Sequence, residues 1–296
     1  MSTLGGAAAA EEIWRAQSVW SRAADRAKAA IERSRTATLC AVVAAAVLGT
    51  AASQLMSLSP VTGRVLAFLA LLAAGTAPLT AAGASPDRVR DWTVLRSVSE
   101  ELKSQVYVYL AGAAQYRAPE TRDTELRART SAVLADAGTL DRALTGIEPA
   151  ARPLPPVTGI ADYAEGRLRR QLEHYYRPKA EEMAAKARLV ERFGQVLAVI
   201  SVLLGAVAGA FATERAAAWI PVVAAVSASV VSYGAAARFV AQEIEFARTA
   251  RELDALLRWW RERDPATDAD ADRLAERTEH VVSVQNEGWM AKWIAD

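Results

Sequence analysis

Charged and apolar positions alternate along this chain in blocks. Residues 193–213 and 216–237 contain no Asp, Glu, Lys, Arg or His, and only Glu214 and Arg215 separate them. Each run is about 21 residues long. At about 1.5 Å per residue, a helix of that length crosses the roughly 30 Å hydrocarbon core of a bilayer. So short a connection leaves the second helix antiparallel to the first, giving a membrane hairpin. The pattern recurs upstream: residues 36–63 are charge-free, Arg64 follows, and residues 65–86 are charge-free again. Spans are expected at about 37–58, 65–84, 193–213 and 216–237. Ser59-Pro60 makes a turn, and Pro78 kinks the second span or marks its end.

Helical periodicity fills the rest. Residues 11–35 place Ile13, Trp14, Gln17, Trp20, Ala24 and Ala27 on one semi-apolar face, suited to packing against neighbouring helices or to lying on anionic lipid. Residues 92–116 align Leu95, Val98, Leu102, Val106, Tyr109 and Leu110, and residues 121–144 give a further helix. The prolines 149, 153, 155 and 156 with Gly159 make residues 147–161 a linker. A helix over 162–192 is expected to be kinked or interrupted near Arg177 by Pro178. After the fourth span, residues 238–263 read as one long helix. Thr267 or Asp268 then caps a last helix reaching about Trp293. No strand-like alternation is present. The expected fold is all-α, an integral membrane protein with two tandem hairpins: residues 1–146 form a first two-span unit and 162–296 a second, each with flanking cytosolic helices.

Hydrophobic residues make up 52% of the chain, yet mean hydropathy is only +0.07, so the apolar runs must be offset by strongly charged aqueous parts. A net charge of +1 argues against a nucleic-acid surface. Cys40, the one cysteine, has no intrachain partner. The charged residues 11–35 precede any apolar segment, so no cleaved signal peptide is expected. Arg26, Lys28, Arg33 and Arg35 precede the first hairpin, and Arg88, Arg90 and Arg96 follow it. Lys179, Lys186, Arg188 and Arg192 precede the second, with Arg238, Arg248 and Arg251 after it. The hairpin tips hold only Arg64 and the Glu214-Arg215 pair. By the positive-inside rule both termini are cytoplasmic, in the inner (plasma) membrane.

Candidate chemistry is sparse. His174 and His280 lack metal-ligand spacing, and no metal or cofactor is expected. Asp268, Asp270 and Asp272 lack the glycine and terminal glutamate of a calcium loop and suit helix capping. Gly5-Gly6 has no preceding strand, so it is not read as a phosphate loop. No catalytic constellation points to an enzyme. Thr50, Ser53, Gln54 and Ser57 fall at i, i+3, i+4 and i+7, which is either a polar pore-lining stripe or the outer, hydrogen-bonded end of a long span. Gly205 and Gly209, and Ala224, Ala228 and Ser232, have the small-residue spacing of close helix packing.

The two hairpins read as a duplicated unit, and the residues around them resemble a known family. Asp162-Tyr163, Arg167-Leu168, Gln171, Tyr175-Tyr176 and Lys179-Ala180 resemble the Tyr-x3-Arg-x3-Gln-x3-Tyr lead-in of bacterial SLATT-type two-transmembrane effector domains and their domain-of-unknown-function relatives. Ile13-Trp14, Gln17, Trp20 and Ser21 look like a divergent first copy. Trp92, Arg96, Glu100-Glu101-Leu102-Lys103 and Tyr107 after the first hairpin are similar to the family's post-span helix. So are Ala250, Leu253, Leu256 and Trp259 after the second, with Glu279, Glu287 and Trp289 near the end. The resemblance implies an effector that forms pores and kills or arrests its own cell in antiphage conflict, commonly tied to a nucleotide-signal synthase or sensor. Four spans are too few to enclose a wide pore, so the expected form is a homo-oligomer in the lipid bilayer. The alternative is a non-conducting membrane scaffold whose cytosolic helices dock partner proteins.

Overall fold

In a computed structural model, the backbone is described for residues 3–137, 140–264 and 266–294, and side chains for 8–135, 137, 140–264 and 266–283. About 86% of the structure is helical, with no strand among the described residues. Four helices are long and apolar enough to cross a membrane. Helix α1 (Thr3–Leu55) runs unbroken for 53 residues, because alanine, the best helix former, dominates it and no proline intervenes. It is followed by α2 (Pro60–Ala81), α3 (Pro86–Ala111), α4 (Arg122–Asp136) and the short α5 (Asp141–Leu144) and α6 (Ile160–Tyr163). Two π-helical turns, Ala164–Arg169 and Leu172–Tyr176, lead into α7 (Arg177–Phe211). Then come α8 (Glu214–Ala217), α9 (Ile220–Ala237), α10 (Phe239–Arg261) and α11 (Asp268–Ile294).

Two compact units cut across the tandem order: residues 1–29, 86–180 and 244–296 form one, and 30–85 with 181–243 form the other. The first is a helical bundle. Leu102, Val106, Tyr116, Leu126, Leu253 and Leu274 are fully buried in it. Helix α3 lies at its centre, since Ser99, Glu100, Ser104 and Gln105 are buried along with its apolar side. Ile13, Trp14, Gln17, Trp20 and Ala24 are buried too, so the amino-terminal face packs on protein. The proline-rich linker is strapped onto α1. Trp14 Nε1 donates to Pro153 O at 2.9 Å, Ala150 N donates to Ser18 Oγ at 2.9 Å, and the Arg152 guanidinium lies 3.7 Å from the Trp14 ring centroid.

The second unit is apolar outside as well as inside. Leu79, Phe211 and Val202 are 75%, 72% and 71% exposed. Its first hairpin closes by direct backbone approach: a Cβ on Gly63 would lie 2.8 Å from Met56 Cα, so only glycine fits. Ser59 caps α2, accepting from Thr62 N at 3.4 Å, with Pro60 at the first helical position. At the other end Ser34 Oγ donates to Thr80 O, and Thr38 Oγ1 reaches Thr80 Oγ1 at 3.0 Å.

Three expectations change. Helix 238–263 does not leave the fourth span continuously: Arg238 is left-handed (φ 53°) and separates α9 from α10. The run 216–237 is divided as well, because α8 ends before α9 begins at Ile220, with Pro221 in its first turn. The helix at 121–144 is two elements, α4 and α5. Of the outcomes expected at Pro178, interruption does not occur: the winding stays helical from Ile160 to Phe211, and the missing N–H to residue 174 is accommodated by the widened π-helical turn at Leu172–Tyr176 immediately before it. Thr267 is the cap of α11: its Oγ1 accepts from Asp270 N at 3.2 Å, and Asp270 Oδ2 accepts from Thr267 N at 3.1 Å.

Candidate functional site

The chemistry of the bundle concentrates where α3, α11 and the segment after α6 meet. Arg167 is 1% exposed. Its Nε and Nη2 donate to Glu279 Oε1 and Oε2 at 3.0 and 2.7 Å, and Tyr163 Oη donates to Glu279 Oε1 at 2.6 Å. With its amide oxygen turned toward them, Gln171 accepts from Arg167 Nη1 at 2.9 Å and from Lys103 Nζ at 3.2 Å. Glu100 continues the network, with Arg96 Nη2 at 2.8 Å and Lys103 Nζ at 3.5 Å. Arg96 Nη2 donates to Tyr175 Oη at 3.5 Å, and Tyr175 packs edge-on against Tyr176 and Phe246.

Local helix geometry makes this convergence possible. A four-residue spacing overshoots an α-helical turn of about 3.6 residues, so such a stripe drifts around the helix. The π-helical turn over 164–169 widens the winding between Tyr163, Arg167 and Gln171, and the one over 172–176 does the same up to Tyr175, compensating the drift and keeping all four on one network.

Electrostatics fix the protonation states. Burial alone would push the Glu100 carboxyl up, but Arg96, Lys103 and Arg167 outweigh it and hold the pKa at about 2. Glu279 is lowered against the same burial penalty by Arg167 and by the hydroxyls that donate to it. Burial drives the Lys103 pKa down to about 8, with Arg167 and Arg96 adding repulsion and Glu100 opposing it. Beside the network lies a cavity of about 260 Å³ whose polar wall includes Glu100, Glu101, Ser104, Gln105, Glu279 and His280. Among the described residues no group of three or more His, Cys, Asp or Glu is placed to hold a metal ion.

The sequence candidates fall in different places. Tyr163, Arg167, Gln171 and Tyr175 join the network. Trp92 is buried in the bundle. Glu101 is at the rim, accepting from Gln105 Nε2 at 2.6 Å, while its neighbour Glu100 is the buried carboxylate. The signal for Glu100 was its spacing, one turn after Arg96 and three residues before Lys103. Trp259 is stacked by Arg263 at 4.0 Å, and the side chains of Glu287 and Trp289 lie outside the described ones.

Thr50, Ser53 and Gln54 occupy the last turns of α1, but Ser57 is in the turn beyond its end at Leu55. Ser53 Oγ donates to Thr50 O at 2.9 Å and Ser57 Oγ to Gln54 O at 3.4 Å. The four therefore cluster at the hairpin tip. Gly205 and Gly209 are exposed, with nothing within 4 Å of an added Cβ among the described residues. Ala224 is exposed too, whereas Ala228 and Ser232 line a cleft facing α1.

Two protein-family models match segments that contain the network. Residues 163–289 match the SMODS and SLOG-associating 2TM effector domain 1, a stretch that begins at Tyr163 and takes in Arg167 and Glu279. The second half of this chain thus matches a SLATT-type domain family. Residues 18–124 match a protein family of unknown function, DUF4231, which covers the first hairpin and α3. Neither the curated proteins nor the solved structures yield a match. In the SLATT-type half, the lead-in residues before the hairpin and the carboxylate of the last helix are thus one physical unit. The α3 side of that unit, Arg96, Glu100 and Lys103, comes from the DUF4231 half.

Proposed function

We propose that the chain is a bacterial membrane effector that inserts through its two hairpins and permeabilises the membrane as a homo-oligomer, in cell suicide or antiphage conflict. The supporting observation is the 2TM effector domain together with four helices whose most apolar windows are only 0–17% buried. Water-exposed surface of that apolarity is costly, and lipid is its natural solvent. Gly205 and Gly209 face outward as a small-xxx-small pair, a surface on which a second copy can pack closely. The bundle, on the cytoplasmic side with both termini, acts as the part that receives a trigger; a nucleotide-signal sensor or another cytosolic protein is the partner the effector class favours. No catalytic step is assigned to the chain.

One observation favours the scaffold reading. Ser53 and Ser57 donate to backbone carbonyls of their own segment at a hairpin tip, so these positions do not form a polar stripe across the apolar unit. Membrane potential during expression of the wild type and of Gln54→Leu separates the two. Depolarisation by the wild type supports permeabilisation, with a weaker effect in Gln54→Leu where that amide faces the path. An unchanged potential in both favours a sealed scaffold.

A further inference from the structure

Within the apolar unit a cleft of about 460 Å³ opens between α1 and α9, at the end remote from the hairpin tips. Arg35, Thr38 and Val42 form one wall, Ala228, Ser232 and Tyr233 another, and the end of α2 closes it. The cleft extends over about two turns of each helix, roughly 10–12 Å along their axes. Small side chains keep it open. At roughly 30 Å³ per small liquid-like group, its volume is on the order of a dozen methylenes. Packed interiors leave few voids of this size, so an open apolar cleft on a lipid-facing unit is one that lipid fills.

Charge orders the cleft from end to end. Arg35 is the last charged residue before the charge-free run of α1 and sits half-buried at the mouth. Exposed Glu32, one turn back, and the Tyr233 ring both act on it. Deeper in, Thr38 is satisfied by Ser34 O at 2.9 Å and by Thr80 Oγ1, and Ser229 by Ala225 O at 2.8 Å, which leaves a wall that is effectively apolar. A guanidinium above an acyl-sized slot matches a phosphate head on a hydrocarbon chain, because its planar fork suits phosphate oxygens and basic pockets between spans take anionic head groups.

We infer that this cleft is a binding site for one anionic phospholipid, its phosphate at Arg35 and one acyl chain running past Val42 and Ala228. The inference rests on the membrane reading above but not on permeabilisation. The test uses the full-length chain, purified in mild detergent, stripped of lipid and offered equal amounts of phosphatidylglycerol and phosphatidylcholine, with retained lipid read by native mass spectrometry. The wild type retains one phosphatidylglycerol in preference to phosphatidylcholine. Arg35→Gln reduces that retention about fivefold, to the phosphatidylcholine level. Ala228→Phe, which fills the slot, removes both lipids. Equal retention of the two lipids by the wild type, or undiminished phosphatidylglycerol on Arg35→Gln, overturns the site. Leakage is scored separately: a chain that leaks without lipid preference refutes the site alone, and one that keeps phosphatidylglycerol without leaking refutes permeabilisation alone.

Discussion

Arg167 in the bundle is 1% exposed and gripped by a carboxylate, whereas Phe211 in the apolar unit is 72% exposed. The bundle takes charges out of water and pairs them; the apolar unit leaves hydrocarbon outside and confines its charges to the segments flanking its charge-free runs. Buried pairs add little net stability over apolar packing, but breaking one is costly, so such a network specifies a single arrangement of its helices. An apolar unit without such pairs has many nearly equivalent neighbours in lipid, and its packing is decided by close approach of small residues. The two parts are thus built for different tasks: one to hold a defined state, the other to accept lipid or another copy.

The largest effect is expected from Glu279→Ala, which strands Arg167 and removes the acceptor of Tyr163. Bundle stability should fall by about 3–5 kcal/mol in thermal or denaturant unfolding. The paired change of Arg167→Met with Glu279→Leu should cost clearly less; an equal loss would mean the charges are not what makes the single change costly.

Acid should act on the same network. The Glu100 pKa is lowered from an ordinary 4.5 to about 2. Its stabilisation is therefore present above pH about 4.5 and is lost as pH falls toward 2, a total of about 3 kcal/mol. Glu100→Gln should flatten that part of the pH–stability curve, and a slope identical to wild type would exclude Glu100 as its source. Lys103 works at the other end. Its folded pKa of about 8 lies below the ordinary 10.5, so the unfolded chain binds more protons between these values and stability rises as pH climbs through that window.

Smaller effects sharpen the contrast. Gly63→Val forces a side chain onto the Met56 backbone and should cost about 1–3 kcal/mol of hairpin stability. Gly205→Leu with Gly209→Leu meets open space and should leave monomer stability within about 0.5 kcal/mol. The same pair should weaken self-association measured by crosslinking in membranes; unaltered crosslinking would remove these glycines from any contact between copies.

Much of the architecture was legible because helix and span signals are local. Charge-free runs, Ser59-Pro60 at a tip and Thr267 at a cap each announce themselves within a few residues. The network was half legible. Spacing places Tyr163, Arg167 and Gln171 on one side of a helix, but Glu279, the acceptor of Tyr163 and Arg167, lies 112 residues beyond Arg167. Glu100 and Glu101 are adjacent in sequence, and only the tertiary fold decides which is buried. Three interruptions escaped periodicity: the left-handed Arg238, the short α8 before α9, and the division of α4 from α5. The left-handed Arg238 does not follow from residue type, since arginine is a good helix former, whereas Pro221 marks the start of α9. The outward face of Gly205 and Gly209 was hidden for a similar reason: spacing identifies a surface for close packing without naming what packs on it.

Opening of a membrane by the apolar unit is tested most directly by reconstitution. Purified full-length chain is reconstituted into dye-loaded anionic liposomes, and release is followed as protein density rises. Release that grows more steeply than linearly with protein, as expected of assembled copies, is the predicted result. Liposomes that stay intact at high protein load, with the chain demonstrably inserted, would contradict it.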